Sequence, residues 1–360
     1  MARLLMLGTV NHPHVEHLAL AMAKRGFDIQ VGGDVIPQLP GSSLPAAGIG
    51  LHMAPTRARR TLLGATAHVW WLRGLLHRLR PDLVHGHWLP GFAFFAAVAG
   101  AKPLVAMAWG SDVFRARRAQ TVANRVTLRR ASLTMADSEA LLEALVALGA
   151  DPAECTLVNW GVDLAAFRPA NAEEKRALRA ELGLGDGPVL LSPRSLTPIY
   201  NPGTILDAWA RLAAERDDVQ LIVKHMSAAG DTLDAVPYAD RVHVVGNVDY
   251  ERMPDYYRVA DACVSIASSD SAPRSVFEAM ACGAPCVISD LPWVHEQIGD
   301  EREALIVPIE AAAVAAALGR LLADAELSAG VAARARDFVE REHDQEVHMD
   351  RLADTYRSLL

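Results

Sequence analysis

Cysteine is scarce in this chain: Cys155, Cys263, Cys282 and Cys286 are the only four in 360 residues. Only Cys282 and Cys286 are close, and the second pair that a structural zinc site would need is missing. A reducing cytoplasm is the expected setting. Long apolar runs are also lacking. Leu4–Leu7 meets Gly8 before it reaches the length of a signal h-region or a membrane span, so it reads as a first buried strand. No tandem repeat, low-complexity tract or disordered-type composition interrupts the chain. The net charge of −8 offers no basic excess, and no nucleic-acid partner is expected. What is present is 51% apolar residues spread over a length that suffices for two domains, each with its own core.

Charge is divided unequally along the chain. Met1–Asp163 holds 16 basic and 11 acidic residues, a net of +5, which leaves −13 for the remainder. Separate ligand roles for the two halves follow. Short apolar runs at Leu4–Leu7, Ile29–Val31, Leu83–His85, Leu104–Ala108 and Leu133–Ala136 alternate with helical patterns, as they do in parallel α/β sheets. A polar stretch after Phe167-Arg168-Pro169 leads into a second series, with strands at 189–191, 220–223, 242–245, 263–266 and 285–289. The expected fold is therefore α/β with two Rossmann-like doubly wound domains facing a cleft. The first would be residues 1–168 and the second 169–345, with 346–360 a terminal helix packing back on the first. In such sheets ligands bind beyond the carboxyl ends of the strands.

The segment from Ser268 to Pro285 carries the most chemistry. A strand ends in small polar residues, a loop with Pro273 enters a helix at Ser275, and that helix stops at Gly283. Free N–H groups at the helix start can hold a phosphate, and flanking carboxylates can accept hydrogen bonds from sugar or ribose hydroxyls. One loop could hold both halves of a nucleotide-sugar.

Asp270 and Glu278 are separated by seven residues and followed by Ala279-Met280-Ala281-Cys282-Gly283-Ala284-Pro285. In this the sequence resembles the retaining family 4 glycosyltransferases of GT-B fold, where two acidic residues precede Ala-Met-Ala-Cys-Gly-x-Pro. The resemblance continues in family order through Pro81–His87, Ala108-Trp109-Gly110-Ser111-Asp112, Ala136–Glu139 and Trp160–Asp163. It implies that Asp270 contacts the transferred sugar and Glu278 holds the ribose. Ser192-Pro193-Arg194-Ser195 resembles the start of the family's pyrophosphate clamp, and Tyr200-Asn201-Pro202 stands where the resemblance leads one to expect the clamp's Lys. Lys224, paired in sequence with His225, and Arg274 are the candidate substitutes. Asp270, Arg194, Lys224 and Asp112 form the expected catalytic set. Ser271, Ala272, Pro273, Ser275, Gly246 and Val248 complete the donor side. The resemblance assigns Gly8, Asn11, His12, His14, His87, Trp109 and Ser111 to the acceptor or cleft loops, with Trp109 where relatives carry a His. The bland alternatives are a solvated helix position for Glu278, a loop charge for Arg274 and a surface pair for Lys224.

The expected activity is transfer of a hexose-type sugar from a UDP- or GDP-sugar to an unidentified acceptor, with retention and without metal or cofactor; the nucleotide-sugar is a substrate. The protein would act as a monomer or homodimer. His12, His14, His17, His85 and His87 also allow a metal-dependent hydrolase, and the departures at Trp109, Asn201 and Asp270, the last an Asp where the family pattern has Glu, allow a non-catalytic nucleotide-sugar-binding protein. The segment Arg57–Arg60 through Trp70-Trp71 to Arg80, and a second basic run at Arg115–Arg130, fit either core-packing helices with arginines reaching for water or a surface for an anionic membrane or acceptor. A peripheral position at the inner face of the membrane is the corresponding localisation.

Overall fold

The computed structural model describes residues 1–37, 41–55, 61–224, 236–246 and 248–360. Arg57–Arg60 and His225 lie outside these residues. The chain divides into two compact units, one of Met1–Asn159 with Val347–Leu360 and the other of Trp160–Glu346.

The first unit is built on a parallel sheet of β1 (Arg3–Thr9), β2 (Asp28–Asp34), β3 (Gly50–Met53), β4 (Leu83–His87), β5 (Leu104–Met107), β6 (Leu133–Ala136) and β7 (Cys155–Leu157), in the order β3-β2-β1-β4-β5-β6-β7. Leu4, Leu5, Met6 and Leu7 are all buried, as continuous apolar strands covered on both faces must be. Gly8 and Asn11 lead into helix Pro13–Lys24, which His12 caps by accepting from His14 N–H at 3.3 Å. The terminal helix Gln345–Ser358 returns its last turns to this unit. There Tyr356 Oη lies 2.6 Å from His85 Nδ1 and Arg25 pairs with Asp350 at 2.8 Å.

The second unit has β8 (Val189–Ser192), β9 (Gln220–Lys224), β10 (Val242–Val245), β11 (Ala262–Ser265), β12 (Cys286–Ser289) and β13 (Leu305–Val307), all parallel in the order β10-β9-β8-β11-β12-β13. Three short strands escaped the sequence pattern: β3, β7 and β13. Each is the last strand at an edge of its sheet and only three or four residues long, too short for a clear apolar run.

The break between units falls earlier than the expected one after Arg168, because Trp160–Phe167 packs with the second unit. Val162 N–H donates to the His343 carbonyl at 2.7 Å, Gln345 N–H donates to the Val162 carbonyl at 3.1 Å, and Phe167 is buried beside Tyr257. Gly161, at φ +63°, permits this crossing; a Cβ there would sit 2.4 Å from the Gln345 Cα. Among the described residues no helix is long and apolar enough to cross a membrane.

Candidate functional site

The strand order of the second sheet reverses between β8 and β11, so the loops leaving these two strands splay apart and open a crevice at their carboxyl ends. Arg194 leaves β8, Lys224 ends β9 and Asp270 follows β11. Helix Arg274–Ala281 starts in the same crevice, behind a turn in which Ala272 takes a left-handed φ of 41°. Pro273 occupies its N-cap, and no side chain caps the helix. Its first N–H groups therefore form a positive end next to three cationic side chains.

These groups are already organised. Arg194 pairs with Asp270 at 2.9 Å, donates to Ser275 Oγ at 2.9 Å, and lies over the Tyr200 ring at 4.0 Å from its centroid. Burial pulls its pKa down, but the Asp270 charge and then Tyr200 outweigh that, so the guanidinium stays charged. Glu278 is only 5% exposed, which removes the solvated alternative. Its Oε1 ion-pairs with Arg274 Nε at 3.1 Å and accepts a short hydrogen bond from Tyr250, while its Oε2 accepts from Tyr257 at 3.1 Å. Both phenols are pushed up in pKa, first by burial and then by the Glu278 charge, and remain donors. Arg274 also stands over the Tyr250 ring and donates to Gln345 Oε1 at 3.3 Å, so it is not a loose loop charge. Lys224 is half-buried at the end of β9, which pairs with β8; burial lowers its pKa, the Glu278 charge raises it and the Arg194 charge lowers it. Arg194, Lys224 and Arg274 outnumber Asp270 and Glu278 by one charge. Such a cradle suits a polyanion that carries hydroxyls.

The first sheet reverses between β1 and β4, and the loops there bring rings together. Trp109, just beyond β5, lies 5.0 Å from His12, 5.5 Å from His14 and 5.6 Å from His87, centroid to centroid. Burial lowers the pKa of His12 to about 4 and holds His87 well below the usual imidazole range. His12 and His87 are therefore uncharged near neutrality. Among the described residues no three of His, Cys, Asp and Glu converge as metal ligands, so the hydrolase alternative has no site in them.

Residues 174–338 match the family described as glycosyl transferases group 1, and residues 12–161 match the glycosyl transferase 4-like domain. Both matched segments are thus glycosyltransferase family domains. It is similar to the D-inositol 3-phosphate glycosyltransferase 2 of Catenulispora acidiphila, 31% identical over 63% of this chain and 58% of that protein. It is also similar to the D-inositol 3-phosphate glycosyltransferase of Xylanimonas cellulosilytica, 29% identical over 90% of this chain and 87% of that one. The chain thus spans less than two thirds of the first relative. Among solved structures, Anabaena HepE in complex with UDP-glucose superposes with a TM-score of 0.83 at 19% identity, over 99% of this chain and 100% of that one. WaaG, a glycosyltransferase involved in lipopolysaccharide biosynthesis, gives 0.80 at 15%, over 98% and 99%. The two Rossmann-like units are those of the GT-B fold.

Several residues that the sequence offered to the candidate site have structural duties. Asp112 is 1% exposed, and its carboxylate accepts from Leu89 N–H and Trp109 N–H, both at 2.9 Å; it braces the Trp109 loop and is closed to substrate. Asn11 is buried with its amide on the backbone of Ile36, at 2.8 and 2.9 Å. Gly8 has a packing reason of its own: a Cβ there would lie 2.7 Å from Val15 Cγ2 and 3.2 Å from His87 Cδ2. Asn201, left-handed at φ 45°, donates to the Ile266 carbonyl at 3.2 Å and so ties the β8 loop to the end of β11. Ser275 serves as an acceptor for Arg194. Ser271, Ala272 and Pro273 are buried in the turn before the helix; Gly246 is exposed just past β10, and Val248 packs on the core. Ser111 is exposed at the start of the short helix Ser111–Phe114. Three tyrosines were missed: Tyr200, Tyr250 and Tyr257. Only their packing against Arg194 and Glu278 marks them, and no spacing in the sequence does.

Proposed function

We propose that this group 1 glycosyltransferase is a retaining, family 4 hexosyltransferase that takes its sugar from a UDP- or GDP-linked donor and needs neither metal nor cofactor. The observation that carries the reading is the cradle at the β8–β11 switch point, where three cations and a helix start surround two carboxylates held at fixed positions. In this reading Arg194, Lys224, Arg274 and the first turn of helix Arg274–Ala281 bind the diphosphate. Glu278, held by Tyr250 and Tyr257, accepts from a ribose hydroxyl, and Asp270 contacts the transferred sugar. The bond from the sugar C1 to the diphosphate oxygen breaks, an acceptor oxygen bonds to C1 on the same face, and the acceptor proton passes to the departing diphosphate. The protein supplies position and charge more than a strong base. HepE was crystallised with UDP-glucose, which favours UDP as the first nucleotide to test. The ring cluster around Trp109 belongs to the acceptor side, and the acceptor itself is unidentified.

A thermal-shift screen over UDP-, GDP- and ADP-sugars tests the donor assignment, because a ligand that binds only the native state raises the melting temperature. The anomeric configuration of the product, read by NMR, tests retention. A product of opposite configuration to the donor would remove the retaining mechanism.

A further inference from the structure

Helix Leu62–Leu79 presents two faces of different character. Leu72 and Leu75 are buried in the core of the first unit, and Val69, Trp71 and Leu76 pack against it. The opposite face carries Leu63, Ala67, Trp70, Gly74 and His77 at alternating spacings of four and three, all exposed. Trp70 is 70% exposed and Leu63 84%, although Trp71 is half-buried next door. A core-packing helix accounts for the first face and leaves the second unexplained. That second face is flanked by cations: Arg73 lies over the Trp70 ring at 5.7 Å, and Arg78 and Arg80 follow at the carboxyl end. The sequence contains no Asp or Glu between Asp34 and Asp82, so nothing in this stretch neutralises them.

We propose that this face is a membrane-docking surface that sets Leu63 and Trp70 into the interface of a bilayer rich in anionic lipid, with Arg73, Arg78 and Arg80 on its headgroups. Charge decides in favour of lipid. A protein partner would have to offer a matching acidic groove, whereas an anionic bilayer satisfies an acid-free helix with any rotation about the membrane normal. Tryptophan at the centre of the stripe suits the headgroup level, where one side of the indole is apolar and the other wet. The helix is interfacial and does not span, since its other face belongs to the core. This inference stands apart from the donor chemistry, which uses the second unit.

The test is co-sedimentation of the full chain with vesicles of phosphatidylcholine alone and of phosphatidylcholine mixed with phosphatidylglycerol. The expected result is partition onto the mixed vesicles only, weakened by salt as the headgroup charge is screened. Arg73→Ser with Arg78→Ser should lower the partition coefficient by about fivefold per arginine, the usual worth of a cation at an anionic surface. Leu63→Ser with Trp70→Ser should also lower it while leaving circular dichroism and donor hydrolysis in solution unchanged. Equal partition onto both vesicle types, or no effect of either pair of substitutions, would overturn the proposal. So would a dimer that binds no vesicles and dissociates when Trp70 is replaced, since the face would then join two copies of the chain.

Discussion

Arg194 is the residue on which the proposed donor cradle turns, and its loss should separate stability from catalysis. It is 13% exposed and pairs with Asp270, 15% exposed, so Arg194→Ala strands a mostly buried carboxylate. Removing one partner of a buried pair costs about 3–5 kcal/mol, and the water that still reaches this pair places the effect at the lower end. Turnover should fall by about 10²–10³-fold, the scale for losing one preorganised donor at a developing charge. Arg194→Lys keeps the charge but cannot hold Asp270 and Ser275 with one planar fork over Tyr200, and should be nearly as inactive. Adding Asp270→Asn to Arg194→Ala should return part of the lost stability and none of the turnover. Because Asn201 is spent on the Ile266 carbonyl, Asn201→Lys in the Arg194→Ala background should restore little. The assays are urea unfolding and nucleotide release from the donor that the thermal screen selects. Turnover of Arg194→Ala within threefold of wild type would refute the assignment of Arg194 to the leaving group, and full recovery with Asn201→Lys would refute the placement of position 201 away from it.

Glu278→Ala should weaken binding of the free nucleotide by about 1.5–3 kcal/mol, the value of a hydrogen bond to a charged group, and calorimetry that finds unchanged affinity would remove the ribose role. Tyr250→Phe takes one donor from Glu278 and should weaken nucleotide binding less than Glu278→Ala does; an equal loss would make Tyr250 itself the contact. Activity should survive exhaustive chelation, and a loss with EDTA that a divalent ion restores would contradict the metal-independent mechanism. Acid should destabilise the first unit: unfolded imidazoles titrate near 6.5, whereas folded His12 and His85 take protons only at about 4 and about 3. Stability is then complete above pH 6.5 and falls on acidification by about 1.4 kcal/mol per pH unit for each histidine, with Asp112, raised to about 6 by burial, opposing one of them. An unfolding midpoint that stays level from pH 6.5 to 5 would count against this. Gly8→Ala should cost about 1–3 kcal/mol by overpacking against Val15, with the donor affinity of the second unit unchanged.

The sequence by itself determined the elements with long periodic signals. The buried runs of β1, β4, β8, β11 and β12 read directly, since a parallel strand covered on both faces leaves a continuous apolar stretch. The segment proposed to hold the donor reads as one unit, because Asp270 and Glu278 lie on one loop and one helix and their separation is local. The tertiary structure decided what depends on distant partners. Nothing near Asp112 in the chain announces that its carboxylate serves Leu89 N–H, and nothing near Tyr250 announces that its phenol meets Glu278. Trp160–Phe167 joins the second unit through His343 and Gln345, contacts made far along the chain. Trp70 and Trp71 are adjacent and chemically identical, and only the rotation of their helix on the core puts one into solvent. Local spacing fixes what a segment can form; which of its polar groups is spent on scaffold and which stays open to a ligand is set by neighbours that the chain brings in from elsewhere.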